Sequence, residues 1–307
     1  MAMMERHRIR AARGLSLLTG LLFFFLVAGT ALAAVKEEPW PQFVQSADGV
    51  PISYTVYGSG EPTLLFVHGW SADSRYWRQQ LAHFKGKYRL ITMDLAGHGH
   101  SGMNRERYGM QAFGEDVAAV IKATDSKAVI LVGHSMGGFV IAEAAKLAPD
   151  QVIGLIGVDT LQDVEHKMTQ KELDEMLTPF EEDFASEARK LVDSMLSNTA
   201  PEIRGWILAD VAAAPPCVAG SALEELLGLY TDGRAAQMFE TIKVPVICVN
   251  GDMIPVNQEG NARHMQSFQA ITVRDADHFL MLDRPWRFNK ALESAVYSIL
   301  RQTASAK

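Results

Sequence analysis

Five short runs of the chain, residues 63–67, 89–93, 128–132, 152–158 and 244–249, are apolar at nearly every position. Runs of this length without polar alternation read as strands buried on both faces, the pattern of a parallel sheet covered by helices. Each stops at a small or polar residue: His68-Gly69, Asp94, Gly133, Asp159 and Asn250-Gly251 respectively. Helical spacing of apolar residues fills the gaps, over 74–84, 111–123, 136–147 and 258–268. Residues 270–273 form a further strand pattern, and 285–302 a last helix with Pro285 in its first turn. Upstream, 43–57 alternates as two short strands joined at Asp48-Gly49. Strands alternating with helices predict a doubly wound α/β fold.

The alternation stops after Asp159. Residues 160–240 hold helical patterns at 169–177, 185–196, 222–230 and 235–242, with no strand. Pro179, Pro201, Pro215 and Pro216 punctuate them. A helical insertion between two core strands predicts a cap over the carboxyl ends of the sheet, where such sheets bind ligands. The expected organisation is a core made of 34–159 and 241–307, with the cap at 160–240.

The first 33 residues read as an address. Arg6, Arg8, Arg10 and Arg13 precede an apolar run at 15–28, and Ala31-Leu32-Ala33 follows. That order is the one found in secretory signal peptides. Cleavage after Ala33 and export, periplasmic or secreted, are the first expectation; an uncleaved N-terminal membrane anchor is the second. The apolar run is shorter than the roughly 20 residues of a spanning helix, which favours cleavage. No later run is long enough to span a membrane.

Charge and cysteine content narrow the function further. Lys+Arg number 29 against 36 Asp+Glu, a net charge of −7, which disfavours a broad nucleic-acid surface. The two cysteines, Cys217 and Cys248, can form at most one bridge, which export would permit. Cys248 lies in an apolar run, so a buried free thiol is the competing reading. No metal-ligand spacing, glycine-rich phosphate loop or dinucleotide fingerprint occurs, and neither a metal nor a cofactor is expected.

The segment carrying the most chemistry is Gly133-His134-Ser135-Met136-Gly137, a G-x-S-x-G placed directly after a strand and before a helix. The chain must reverse sharply there, and small residues at 133 and 137 relieve the crowding around Ser135. The turn lifts the Ser135 hydroxyl off the sheet, at the positive end of a helix. A serine needs a base to attack at neutral pH. Of nine histidines, His278 has the best context: a polar loop, Asp275-Ala276-Asp277-His278-Phe279, between a strand and the final helix.

Over roughly residues 43–303 the chain resembles the α/β-hydrolase superfamily with a helical cap. The resemblance rests on His68-Gly69-Trp70, the loop Asp94-Leu95-Ala96-Gly97-His98-Gly99-His100-Ser101, the Ser135 elbow and the His278 segment. It implies a mostly parallel central sheet flanked by helices, Ser135 as nucleophile and His278 as base. The backbone N–H groups of Trp70 and Met136 are then the donors of an oxyanion hole. His68 orders the oxyanion loop, His98 and His100 belong to a structural turn, and His134 packs.

The acid is the one open member. Superfamily chains often carry it three residues after the glycine closing the penultimate strand, but Ile254 stands there. Asp252, two positions early, and Asp159, at the end of the preceding strand, are the two candidates, with Asp159 preferred. A serine at the elbow argues against dehalogenase and epoxide-hydrolase chemistry, which uses aspartate. It suits an acyl-enzyme route on a carboxylic ester or related acyl compound, with Trp70, Phe139 and Phe279 expected against a small apolar acyl substrate. Thioesterase, lactonase and carbon–carbon hydrolase activities share these residues, as would a slow or non-catalytic ligand receptor on the same fold. The oligomeric state is not encoded in any motif.

Overall fold

The computed structural model describes residues 39–305; the expected signal segment, residues 1–33, lies outside them. Eight strands form one sheet: β1 (Gln42–Gln45), β2 (Pro51–Tyr57), β3 (Thr63–Val67), β4 (Arg89–Met93), β5 (Val129–His134), β6 (Val152–Val158), β7 (Val246–Gly251) and β8 (Phe268–Val273). Their spatial order is β1-β2-β4-β3-β5-β6-β7-β8. β2 runs antiparallel to β1 and β4, and every other pairing is parallel. β3, β5 and β7 are buried at every position, which is why they read as continuous apolar runs. Leu64, Leu65, Phe66 and Val67 are fully buried, and burial of side chains this size contributes about 1.5–3 kcal/mol each. β1 and β8 are edge strands and half-exposed. Asp48-Gly49 lies in the β1–β2 turn as expected, with Gly49 at φ +84°.

Helices flank this sheet. After a 3₁₀ turn at Ser74–Trp77 come α1 (Arg78–Phe84), α2 (Met110–Ala123) and α3 (Gly137–Leu147). Five helices follow between β6 and β7: α4 (Gln170–Glu182), α5 (Phe184–Asp193), α6 (Pro201–Ala212), α7 (Pro216–Gly228) and α8 (Arg234–Glu240). α9 (Gln258–His264), α10 (Leu280–Asp283) and α11 (Pro285–Ser305) complete the chain. Cap helices start where local chemistry favours it. Thr169 and Glu172 form a reciprocal capping box on α4, and the Asp183 carboxylate accepts the Ser186 N–H at the start of α5. Pro201 and Pro216 are the first residues of α6 and α7, where a missing N–H costs nothing.

The inserted helices lie over the carboxyl ends of the strands. Trp70, just past β3, donates its indole N–H to the Ala219 carbonyl of α7 at 2.7 Å. Tyr76 stacks on Trp206, Phe139 meets Tyr230 and Phe239, and the His278 N–H donates to the Met195 carbonyl.

Two expectations are corrected, and the open question of the cysteines is answered. The helix expected over 258–268 ends at His264, and Phe268 already pairs in β8 opposite Val246. Of the prolines expected to punctuate the cap, Pro201 and Pro216 open helices, adding α6 and moving the start of α7 to Pro216, while Pro215 is the N-cap of α7 and Pro179 lies inside α4. No disulfide forms: Cys217 is an exposed thiol on α7, and Cys248 is buried inside β7. Among the described residues no single helix is long and apolar enough to cross a membrane.

Candidate active site

β5 ends at His134 and α3 begins at Gly137, so Ser135 and Met136 make the whole reversal. Ser135 sits at φ +52°, a conformation that costs a non-glycine residue about 1–2 kcal/mol. The surroundings enforce it: the Ser135 N–H donates to the Val158 carbonyl and the Gly138 N–H to the Ser135 carbonyl, both at 2.9 Å. A Cβ at Gly133 would lie 2.2 Å from the Gly137 carbonyl oxygen, and one at Gly137 would lie 2.7 Å from that of His68. Neither backbone group can move aside cheaply, so the two outer residues of the pentapeptide must be glycine. Ser135 itself is half-buried.

Asp159 leaves β6 at φ +44°, with its N–H donating to the Val249 carbonyl. Its carboxylate is used at both oxygens. Oδ1 accepts the Gly251 N–H at 2.8 Å, and Oδ2 lies 2.6 Å from His278 Nδ1. The carboxylate is the acceptor, so Nδ1 carries the proton and the Nε2 lone pair is left open. Gly251 allows the approach, since a Cβ there would meet the Ala276 carbonyl oxygen at 2.4 Å. Ser135 is bonded to Val158, the residue before Asp159, so elbow and carboxylate are fixed to each other through one backbone hydrogen bond. The Ser135 hydroxyl makes no hydrogen bond to His278 or to any other group among the described residues; nucleophile–base bonds often tighten only with substrate in place.

The loop after β3 is braced by His68. The Leu95 N–H donates to His68 Nε2 at 3.0 Å, so the proton is on Nδ1, which donates to the Gly69 carbonyl at 2.8 Å. A Cβ on Gly69 would stand 3.2 Å from Ser135 Cβ, which places the loop directly against the elbow. Neither the Trp70 nor the Met136 N–H donates to a protein acceptor among the described residues. The Trp70 side chain turns into the cap against Phe180 and Phe184. Phe279 meets the His278 imidazole edge to face and the His134 imidazole at a tilt, whereas Phe139 faces α8 through Phe239.

Five other histidines are occupied. His134 donates Nε2–H to the His278 carbonyl at 3.0 Å, and burial holds it well below the usual histidine range, hence neutral. His98 is neutral for the same reason, burial pushing it down to about 3, and its Nδ1 is bonded to the Ala96 carbonyl. His100 sits beside Asp94, His83 beside Glu293, and His264 between Glu165 and Glu240.

Of the two acid candidates only Asp159 meets the imidazole. Asp252 accepts the backbone N–H groups of Asp275 and Ala276, at 3.1 and 3.4 Å. Sitting right after Gly251, it reaches the start of the histidine-bearing turn and not the ring. A third carboxylate, Asp277, went unrecognised in the sequence. It is buried beside His278 and bonded to the strap between α5 and α6, accepting from the Ser197 hydroxyl, the Asn198 N–H and the Thr199 hydroxyl. Its only local signal is that it directly precedes the histidine; its partners lie about 80 residues upstream in the cap.

A fold and site of this kind define a recognisable class of protein. Residues 64–290 match the model of the Alpha/beta hydrolase family, and the chain belongs to that family. A non-heme haloperoxidase from Rhodococcus erythropolis is 36% identical over 121 residues, covering 37% of this chain and 44% of the relative, less than half its length. The 3-oxoadipate enol-lactonase 2 of Acinetobacter baylyi is 24% identical over 260 residues, covering 82% of this chain and 95% of the relative. Among solved structures, an esterase from Exiguobacterium antarcticum superposes with a TM-score of 0.73 at 22% identity, over 84% of this chain and 100% of the other.

Proposed function

We propose that this protein is a serine hydrolase acting on a carboxylic ester or related acyl compound through an acyl-enzyme. The observation that carries the reading is the 2.6 Å contact between Asp159 Oδ2 and His278 Nδ1 beside a strained serine on a strand–helix elbow. The carboxylate holds the ring in the tautomer whose Nε2 takes a proton from Ser135. The Ser135 oxygen then attacks the substrate carbonyl. The oxyanion is received by the Trp70 and Met136 amides, a type of interaction in which one donor is commonly worth about 3–4 kcal/mol. His278 passes its proton to the leaving group, which departs, and then draws a proton from a water molecule that attacks the acyl-serine. Release of the acid restores Ser135.

The similar proteins include one named an esterase and one named an enol-lactonase, names that agree with acyl chemistry at this site. The aromatic ring of Phe279, in contact with the imidazoles of His278 and His134, supports an apolar acyl or alcohol group beside the base. The basic and apolar order of residues 6–33 supports export with cleavage after Ala33. The direct test is turnover of short-chain aryl esters by the chain lacking residues 1–33. Hydrolysis that disappears in Ser135→Ala is expected. Turnover unchanged in Ser135→Ala, or tight ligand binding without any turnover, would reject the reading, the latter in favour of a receptor.

A further inference from the structure

We propose that Asp277 is a positioning residue that ties the orientation of His278 to the seating of the cap; the inference rests on the hydrolase reading above. Asp277 is 1% exposed, and a carboxylate that deep is tolerated only with its lone pairs satisfied. The side-chain and backbone donors bonded to it all belong to one piece of the cap. The Ser197 hydroxyl donates to Oδ1 at 2.8 Å, while the Asn198 N–H and the Thr199 hydroxyl donate to Oδ2 at 2.6 and 2.8 Å. The next residue's own N–H, that of His278, donates to the Met195 carbonyl at 3.4 Å. Asp277 and His278 are thus stitched by four hydrogen bonds to the strap that joins α5 to α6.

The same turn is held by the sheet from its other side. Asp159 takes His278 Nδ1, His134 donates to the His278 carbonyl, and Asp252 accepts from Asp275 and Ala276. The core alone thus fixes the start of the turn, the His278 carbonyl and one ring nitrogen. The peptide that sets the ring's tilt toward Ser135, that between Asp277 and His278, is anchored through the cap. A displaced strap carries this peptide with it, and the Nε2 lone pair leaves the line to the serine. The cap then has two duties, covering the substrate and completing the base.

Three variants separate this role from simple stabilisation. Asp277→Ala orphans all three donors. Asp277→Asn keeps them, because the amide oxygen accepts from Asn198 and Thr199 while the Ser197 hydroxyl turns to accept from the amide N–H. Ser197→Ala/Thr199→Val breaks the tether from the cap side and leaves the carboxylate in place. Each is assayed for kcat and KM on one aryl ester and for the rate of Ser135 labelling by a serine-directed phosphonate. Expected are a tenfold or larger fall in kcat and in labelling rate for Asp277→Ala and for the double variant, with KM changed less than threefold. Asp277→Asn should stay within threefold of the parent. Full kcat per labelled site in Asp277→Ala, a loss confined to KM, or an asparagine variant as impaired as alanine would overturn the proposal. If Asp277→Ala does not fold, the double variant decides alone. A parent protein that phosphonate does not label removes the hydrolase reading itself, an outcome distinct from a labelled parent whose variants react equally fast.

Discussion

Replacing Asp159 by asparagine exchanges one heavy atom and should cost nearly all activity. The aspartate accepts two N–H donors, Gly251 at Oδ1 and His278 at Oδ2. Asparagine offers one acceptor oxygen and one N–H₂ group. If the oxygen keeps Gly251, the N–H₂ faces His278 Nδ1, which must give up its proton to accept. The ring then carries hydrogen on Nε2, the nitrogen that has to receive the serine proton. If the amide flips, the N–H₂ confronts the Gly251 N–H, and leaving that buried donor without an acceptor costs about 1–3 kcal/mol. The first arrangement is therefore preferred, and it is the inactive tautomer. In triads of this geometry the loss is about 10⁴ in kcat, or about 5 kcal/mol of transition-state stabilisation. Asp252→Asn is the matched control, because Asp252 touches only backbone N–H groups, and it should stay within about threefold. Steady-state hydrolysis of an aryl ester, with thermal unfolding to show that both variants fold, makes the comparison. Near-normal turnover in a folded Asp159→Asn, or collapse in Asp252→Asn, would refute the assignment of the acid.

A Cβ at Gly137 would press on the His68 and Val67 carbonyl oxygens at 2.7 and 2.9 Å, so Gly137→Ala should lower stability by about 1–3 kcal/mol and displace the oxyanion loop. Gly205, inside α6 with nothing near its Cβ position, should gain about 0.5–1 kcal/mol as alanine; urea unfolding of the two variants tests the contrast. His98, pushed down to about 3 by burial, stays neutral in the folded state while the unfolded chain protonates it near its ordinary 6.5. Stability should therefore fall as pH drops below 6.5, by about 2 kcal/mol from this residue alone by pH 5, read as a shift in urea midpoint that His98→Gln reduces. Asp277 behaves oppositely to a simply buried acid. Burial works to raise its pKa, but the hydrogen bonds from Asn198, Ser197 and Thr199 outweigh it and hold the carboxyl below 3.8. Its contribution is present above pH 3.8 and lost as pH falls through the folded value, so the melting-temperature gap between parent and Asp277→Ala should narrow below about pH 4. Trp70→Phe removes the indole hydrogen bond to the Ala219 carbonyl and should cost about 0.5–1.5 kcal/mol, seen as a lower melting temperature.

What was legible in the sequence was set by local physics. β3, β5, β6 and β7 announce themselves because both of their faces are covered, and the elbow because its glycines answer a steric demand within five residues. β8 is half-exposed at the sheet edge, so its apolar signal is diluted and the preceding helix was drawn too long. α6 carries Ile203, Trp206, Ile207, Leu208 and Val211, apolar residues that do not gather into a single narrow stripe, and its opening proline reads equally well as a break. The acid could be preferred but not fixed from one dimension, because Asp159 and His278 are 119 positions apart. The tether at Asp277 was hidden for the same reason, since its chemistry lies in partners contributed by a different part of the chain.

The proposed hydrolysis turns on Ser135 acting as a nucleophile. Intact-mass and peptide-mapping spectrometry after treatment with a serine-directed phosphonate reads this directly. One adduct per chain, located on the peptide carrying Ser135, absent in Ser135→Ala and slowed in Asp159→Asn, is the predicted result. No adduct on a folded parent, or an adduct on another residue that persists in Ser135→Ala, would contradict it.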